Sequence, residues 1–187
     1  IAVDSAGLIY ISVQEANAGL QVYDQTGKFV KALKLPNSLH GFVIRKTTEG
    51  EFIYAAVLNE QRLIKCTLDG TIVMEIKADD FPAAQGKTKD GKNTLKLTSC
   101  DVAANGDIYI AGAEPASGTP PALVSDHAVI KITSGGAVTS NFATLTGQIG
   151  TAASFNPVDG NMYISTNTAT QARVVSVSPA GVLTNVH

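Results

Sequence analysis

The sequence is poor in charge, in sulfur and in tryptophan. Of its 187 residues only 16% are charged, there is no Trp, and 14 basic side chains against 16 acidic ones leave a formal charge of −2. No global positive field exists to gather nucleic acid or an anionic membrane surface, so neither is expected as a partner. Two cysteines are too few for a disulfide framework and lack the clustered partners of a zinc site. No uninterrupted apolar stretch approaches the roughly 18 residues that a membrane helix needs. No segment holds a 3.6-residue apolar period between capping signals, so almost no helix is expected. The motifs G-x-S-x-G, phosphate loop, H-E-x-x-H and the N-glycosylation sequon are all missing, which removes the usual motif-borne enzyme classes. The chain starts at Ile1 without an initiator Met, which suggests cutting upstream.

What the sequence does contain is a repeat. A turn glycine followed within four residues by an apolar-Tyr-apolar step occurs as Gly7-Leu-Ile-Tyr10-Ile, Gly50-Glu-Phe-Ile-Tyr54-Ala, Gly106-Asp-Ile-Tyr109-Ile and Gly160-Asn-Met-Tyr163-Ile, and this column takes four of the five tyrosines. A second alternating run ending in glycine follows each: Leu20-Gln-Val-Tyr-Asp before Gly27, Leu63-Ile-Lys-Cys-Thr before Gly70, Val129-Ile-Lys-Ile-Thr before Gly136, and Val174-Val-Ser-Val-Ser before Gly181. A short apolar segment then closes the unit. Runs of four to seven residues rich in Val, Ile, Tyr and Thr, bounded by Gly, Asp, Asn and Ser, are the signature of short strands joined by tight turns. Asn105-Gly106, Asp159-Gly160 and Asp69-Gly70 supply the positive-φ residues that hairpins demand.

Four-stranded units repeated at this length are the sequence form of an all-β propeller. Four blades are expected, over about 1–35, 39–77, 95–145 and 149–187. The first glycines stand 43, 56 and 54 residues apart, and the excess falls in two inserted loops, 78–94 and 112–126.

The columns resemble the repeats of NHL-type six-bladed propellers and of their secreted bacterial relatives, which include peptidyl-hydroxyglycine amidating lyases. Unit two carries the resemblance best, from Leu39-His-Gly-Phe-Val through Gly50-Glu-Phe-Ile-Tyr to Asn59-Glu-Gln-Arg-Leu-Ile-Lys and Leu68-Asp-Gly-Thr-Ile-Val. Unit four keeps only the periodic skeleton. The resemblance implies a ring of six blades, so the four seen here read as a fragment of a longer propeller rather than a closed four-blade ring. In the lyase branch it also implies histidines on inner strands converging on a channel metal. His40 occupies such a place, but the corresponding positions hold Thr98 or Ser99 and Ser154, and a metal centre normally needs three or four ligands. His127 and His187 are not placed to help.

Propeller ligands bind at inner strands and channel mouths, and the polar candidates there are Asp4, His40, Arg45, Asp101 and Asn156. For Asp4 and Asp101 the plainer reading is that the carboxylate accepts turn amides. Arg62 and Arg173 share a column, which favours a repeated structural role. Cys66 falls in an apolar column and Cys100 on an inner strand, so burial as free thiols is expected rather than a bridge. Asp79-Asp80 and Lys87–Lys92 lack calcium-loop spacing.

Charge is uneven: residues 1–94 hold 22 charged side chains and residues 95–187 only 8. A low-charge, Thr/Ser/Ala-rich β surface suits packing against other chains and is common in secreted bacterial proteins. The expected function is a non-catalytic binding or assembly module in an extracytoplasmic setting, recognising a protein partner or itself, with no cofactor. The alternatives are a metal-assisted lyase or hydrolase using zinc or calcium near His40, and a structural subunit of a surface layer, fibre or larger complex.

Overall fold

Period-two alternation gives each short run one face for its own sheet's neighbour on one side and another for the opposite side, and tight turns keep consecutive runs antiparallel. The computed structural model describes residues 1–13, 15, 19–81, 95–115, 127–145, 149–167 and 171–186. These form four sheets, each a simple meander of four antiparallel strands. The first holds β1 (Ala2–Val3), β2 (Ile9–Ser12), β3 (Leu20–Tyr23) and β4 (Phe29–Leu33); the second β5 (Leu39–Thr47), β6 (Gly50–Val57), β7 (Arg62–Cys66) and β8 (Ile72–Lys77). The third holds β9 (Leu95–Val102), β10 (Ile108–Pro115), β11 (His127–Ile132) and β12 (Val138–Leu145); the fourth β13 (Ile149–Phe155), β14 (Met162–Asn167), β15 (Ala172–Val177) and β16 (Leu183–Asn185). The helical content described is a single 3₁₀ turn at Ala78–Asp80.

Hairpin turns follow the glycine columns. At Gly70 (φ 93°) and Gly106 (φ 87°) the chain is left-handed, and each glycine N–H closes a turn by donating to Thr67 O and Ala103 O respectively. A side chain at either place would be strained by the backbone alone.

The first strands of the sheets, β1, β5, β9 and β13, pack on one another in succession, while β4, β8 and β16 pack mainly within their own sheets. The sheets are therefore blades with β1, β5, β9 and β13 innermost. Each junction has its own core. Tyr10, Leu20, Val22, Ile53, Ile64 and Cys66 fill the first, Tyr54, Leu63, Leu97, Ile108 and Ile130 the second, and Tyr109, Val129, Leu145, Met162, Ile164 and Val175 the third. The tyrosine column explains itself here: register places Tyr10, Tyr54 and Tyr109 on the face turned to the following blade, which we term the trailing face. The opposite, leading face of that following blade supplies the apolar partners.

Blade four does not pack on blade one as each blade packs on its successor, so the described sheets form an open arc. Two details differ from the sequence-based expectation. β10 runs through Pro115, so residues 112–115 are strand rather than inserted loop. At the other insertion, Phe81 is only 3% exposed and plugs the second core, so the loop is anchored where it leaves β8. Residues 82–94 and 116–126, and His187, lie outside the described residues.

Candidate functional site

The inner strands bring two of the five candidate residues together. Arg45 on β5 donates from Nε to Asp101 Oδ1 at 2.8 Å and from Nη2 to Asp101 Oδ2 at 2.8 Å, a bidentate pair across the second junction. Asp101 on β9 is 1% exposed, and its carboxylate also accepts the Val102 N–H at 2.8 Å and the Phe155 N–H at 2.7 Å from β13. One buried carboxylate thus ties blades two, three and four near the axis. Arg45 keeps 39% of its side chain exposed, so the pair presents a guanidinium edge to solvent while its anion stays inside.

The other candidates stand apart from this clasp. Asp4 is a turn organiser: Oδ1 accepts the N–H groups of Ala6 (3.0 Å) and Leu8 (2.8 Å), and Oδ2 accepts the Tyr10 hydroxyl at 3.0 Å. Burial, with the Asp4 carboxylate beside it, holds the Tyr10 phenol well above its ordinary pKa. Asn156 likewise caps the β13–β14 turn, its Oδ1 accepting the Val158 N–H at 3.0 Å. His40 lies where the β5–β6 register shifts between Leu39 and Gly41, and it is exposed. Among the described residues no three His, Cys, Asp or Glu side chains converge as metal ligands.

Arg62 pairs with Glu60 and Glu75, and Arg173 bonds Gln171, so their shared column does structural work at β7 and β15. Cys66 and Cys100 are free and buried on opposite sides of blade two, and burial pushes both thiols up to about 12.

A second recurring device escaped the sequence reading. Lys65 and Lys131 occupy one register position on β7 and β11, each on the trailing face beside the column tyrosine. Lys65 Nζ lies 4.3 Å from the Phe52 ring centroid and 5.8 Å from that of Tyr54, and pairs with Glu49 at 2.5 Å. Lys131 Nζ lies 5.1 Å from the Phe142 ring and 5.9 Å from Tyr109, and pairs with Asp107 at 2.8 Å. An ammonium over two rings with one carboxylate replaces its lost hydration inside a blade junction. The Lys65 hydrogen bond holds Glu49 below the usual carboxylate range, and the Asp107 bond raises Lys131. Beside Lys65, Glu49, Phe52, Met74 and Ser134 border an open pocket of about 360 Å³ between blades two and three. The signal was present in the sequence as Ile-Lys repeated in Leu63-Ile-Lys-Cys and Val129-Ile-Lys-Ile.

The leading face of blade one has no sheet against it among the described residues. Val3, Ile9, Tyr23 and Phe29 stand opposite one another across β1 to β4, with Val3 56% and Phe29 53% exposed.

These four sheets and their tyrosine-faced junctions define a β-propeller. No protein-family model matches the sequence, and no curated protein is significantly similar to it. Solved structures do match in fold. Streptogramin B lyase superposes with a TM-score of 0.65 at 14% identity, over 98% of this chain and 52% of that one. Hydrazine synthase of Kuenenia stuttgartiensis gives 0.65 at 14% identity, over 98% and 52%. The Neurospora crassa Pan2 WD40 domain gives 0.60 at 14% identity, over 96% and 56%. The chain thus spans little more than half the length of these propellers, and at such identities the likeness is one of fold. No helix among the described residues is long and apolar enough to cross a membrane.

Proposed function

We propose that this chain is a non-catalytic binding or assembly module built on an NHL-like propeller. The observation that carries the reading is that the polar candidates near the axis are committed to architecture: Asp101 and Arg45 to holding three blades, Asp4 and Asn156 to their turns. An extracytoplasmic setting fits the nearly uncharged second half of the sequence.

The rival reading is a metal-assisted lyase or hydrolase centred on His40. Its support is a fold shared with streptogramin B lyase, and a propeller fold hosts enzymes and binding modules alike. Metal content separates the two. After exhaustive dialysis the binding module is expected to hold only substoichiometric zinc and calcium, with no change in His40→Ala. Stoichiometric metal that disappears in His40→Ala would overturn the proposal in favour of the enzyme.

A further inference from the structure

We infer that Asn105 is a site of spontaneous covalent modification. Its side-chain amide is lost through an imide formed with the Gly106 nitrogen, and the product weakens the ion pair that seats Lys131 at the junction of blades three and four. Among the asparagines of the sequence only Asn105 precedes a glycine, so only there does the attacking nitrogen belong to a residue without a Cβ to obstruct it. The turn between β9 and β10 holds the two residues in place. Asn105 is exposed, and its side chain folds back along the turn: Oδ1 accepts the Asp107 N–H at 3.1 Å, and Nδ2 donates to Asp107 Oδ2 at 3.0 Å. The Asp107 N–H therefore already faces the oxygen on which negative charge develops when the carboxamide carbon is attacked. One contact opposes the reaction. The Gly106 N–H donates to Ala103 O at 2.9 Å, so the nitrogen is released only when that turn bond opens.

The reaction needs no partner but water. The Gly106 nitrogen gives up its proton and bonds to Asn105 Cγ, the Cγ–Nδ2 bond breaks, and Nδ2 leaves with a proton as ammonia. Water then opens the five-membered imide at either carbonyl, giving aspartate or isoaspartate. Both products put a carboxylate where an amide donor stood. The consequence follows from Asp107, which is buried and uses the same oxygen, Oδ2, for Asn105 Nδ2 and for Lys131 Nζ at 2.8 Å. A new anion facing that oxygen repels it, where the amide had bonded it. Lys131 lies over the rings of Tyr109 and Phe142, and both rings pack in the third core. A change of charge at an exposed turn thus reaches a blade junction. Lys65 is not open to this, since its partner Glu49 sits in a turn without asparagine.

Incubation of the 187-residue chain in heavy-oxygen water at mildly alkaline pH, folded and in urea, tests the site. Peptide mapping is expected to find the heavy isotope at position 105 of the folded chain, as a mixture of aspartate and isoaspartate, and none there in Asn105→Ser. The folded rate is expected roughly tenfold below the unfolded one, because a single turn bond must open first. Labelling slowed by more than about a thousandfold, as it would be if only global unfolding released the Gly106 nitrogen, overturns the site. The consequence is read from thermal melts of a double-mutant cycle. Asn105→Asp is expected to lower Tm by roughly 2–5 °C, and to cost nothing in an Asp107→Asn background, where no carboxylate is left to repel. An unchanged Tm in Asn105→Asp, or the same fall in both backgrounds, overturns the link to the Lys131 pair.

Discussion

Removing the Asp101 carboxylate is expected to loosen three blades at once. In Asp101→Ala the Phe155 N–H loses its acceptor at 2.7 Å and Arg45 loses both of its 2.8 Å bonds. Breaking a fully buried ion pair costs about 3–5 kcal/mol, and orphaning a buried amide costs about 1–3 kcal/mol. These do not simply add, because Arg45 is 39% exposed and water takes over part of its solvation. A net loss of about 2–4 kcal/mol follows, with most of it on the amide side. For a chain of this size that is a fall in Tm of roughly 5–12 °C. Asp101→Asn keeps one oxygen to accept from the Phe155 N–H but gives up the charge and sets its amide NH2 against Arg45 Nε and the Val102 N–H, so its loss is expected to approach that of Ala while the Phe155 amide stays better protected. Urea unfolding gives the free energies, and hydrogen exchange at the Phe155 amide reports whether β13 has come loose from β9. A loss under about 1 kcal/mol for Asp101→Ala, or unchanged exchange at the Phe155 amide, would refute the idea that this carboxylate clasps the blades.

Three further outcomes can be measured directly. The column tyrosines differ: Tyr10→Phe should cost about 1 kcal/mol in a denaturant melt by leaving Asp4 one donor short, whereas Tyr54→Phe should cost less, since among the described residues the buried Tyr54 hydroxyl has no well-formed hydrogen bond to lose. Thiol titration should find Cys66 and Cys100 unreactive in the folded chain, with thiols pushed up to about 12, and both free once the chain is unfolded. Stability should hold from neutral pH down to the ordinary carboxylate range and then fall. The turn carboxylates Asp24 and Asp69, with Glu49 and Glu75, are held below their ordinary values of 3.8 and 4.5, so their contribution is full above those values and is lost as pH falls through the depressed folded ones. Lys65→Met should flatten the Glu49 share of that acid limb, and an unchanged limb would count against the pairing.

Much of the blade pattern was legible because it is local. Tyr10, Tyr54, Tyr109 and Tyr163 share a column whose spacing from the turn glycine is set within a handful of residues, and hairpin register follows from that spacing. The Asp4 turn was legible for the same reason: its acceptors and donors lie within six residues of one another. Lys65 and Lys131 were visible as residues but not as a device, because the rings and carboxylates that make burial tolerable come from Glu49 and Phe52 in one case and Asp107 and Phe142 in the other. Their meeting depends on how strands stack across a junction. His40 shows the converse: its motif suggested a ligand, while the structure places it, exposed, where the β5–β6 register shifts between Leu39 and Gly41.

The sequence by itself determined the strands, their turns, the fourfold repeat and the scarcity of charge in the second half. These rest on period-two alternation and on glycine conformations, which need no distant partner. Only the tertiary structure decided that Arg45 and Asp101 meet, that Asp101 also holds the Phe155 amide, that Phe81 plugs a core, and that the four blades trace an open arc. Each of those is a contact between residues far apart in the chain, set by the angle at which one sheet packs on the next, and no local pattern encodes that angle.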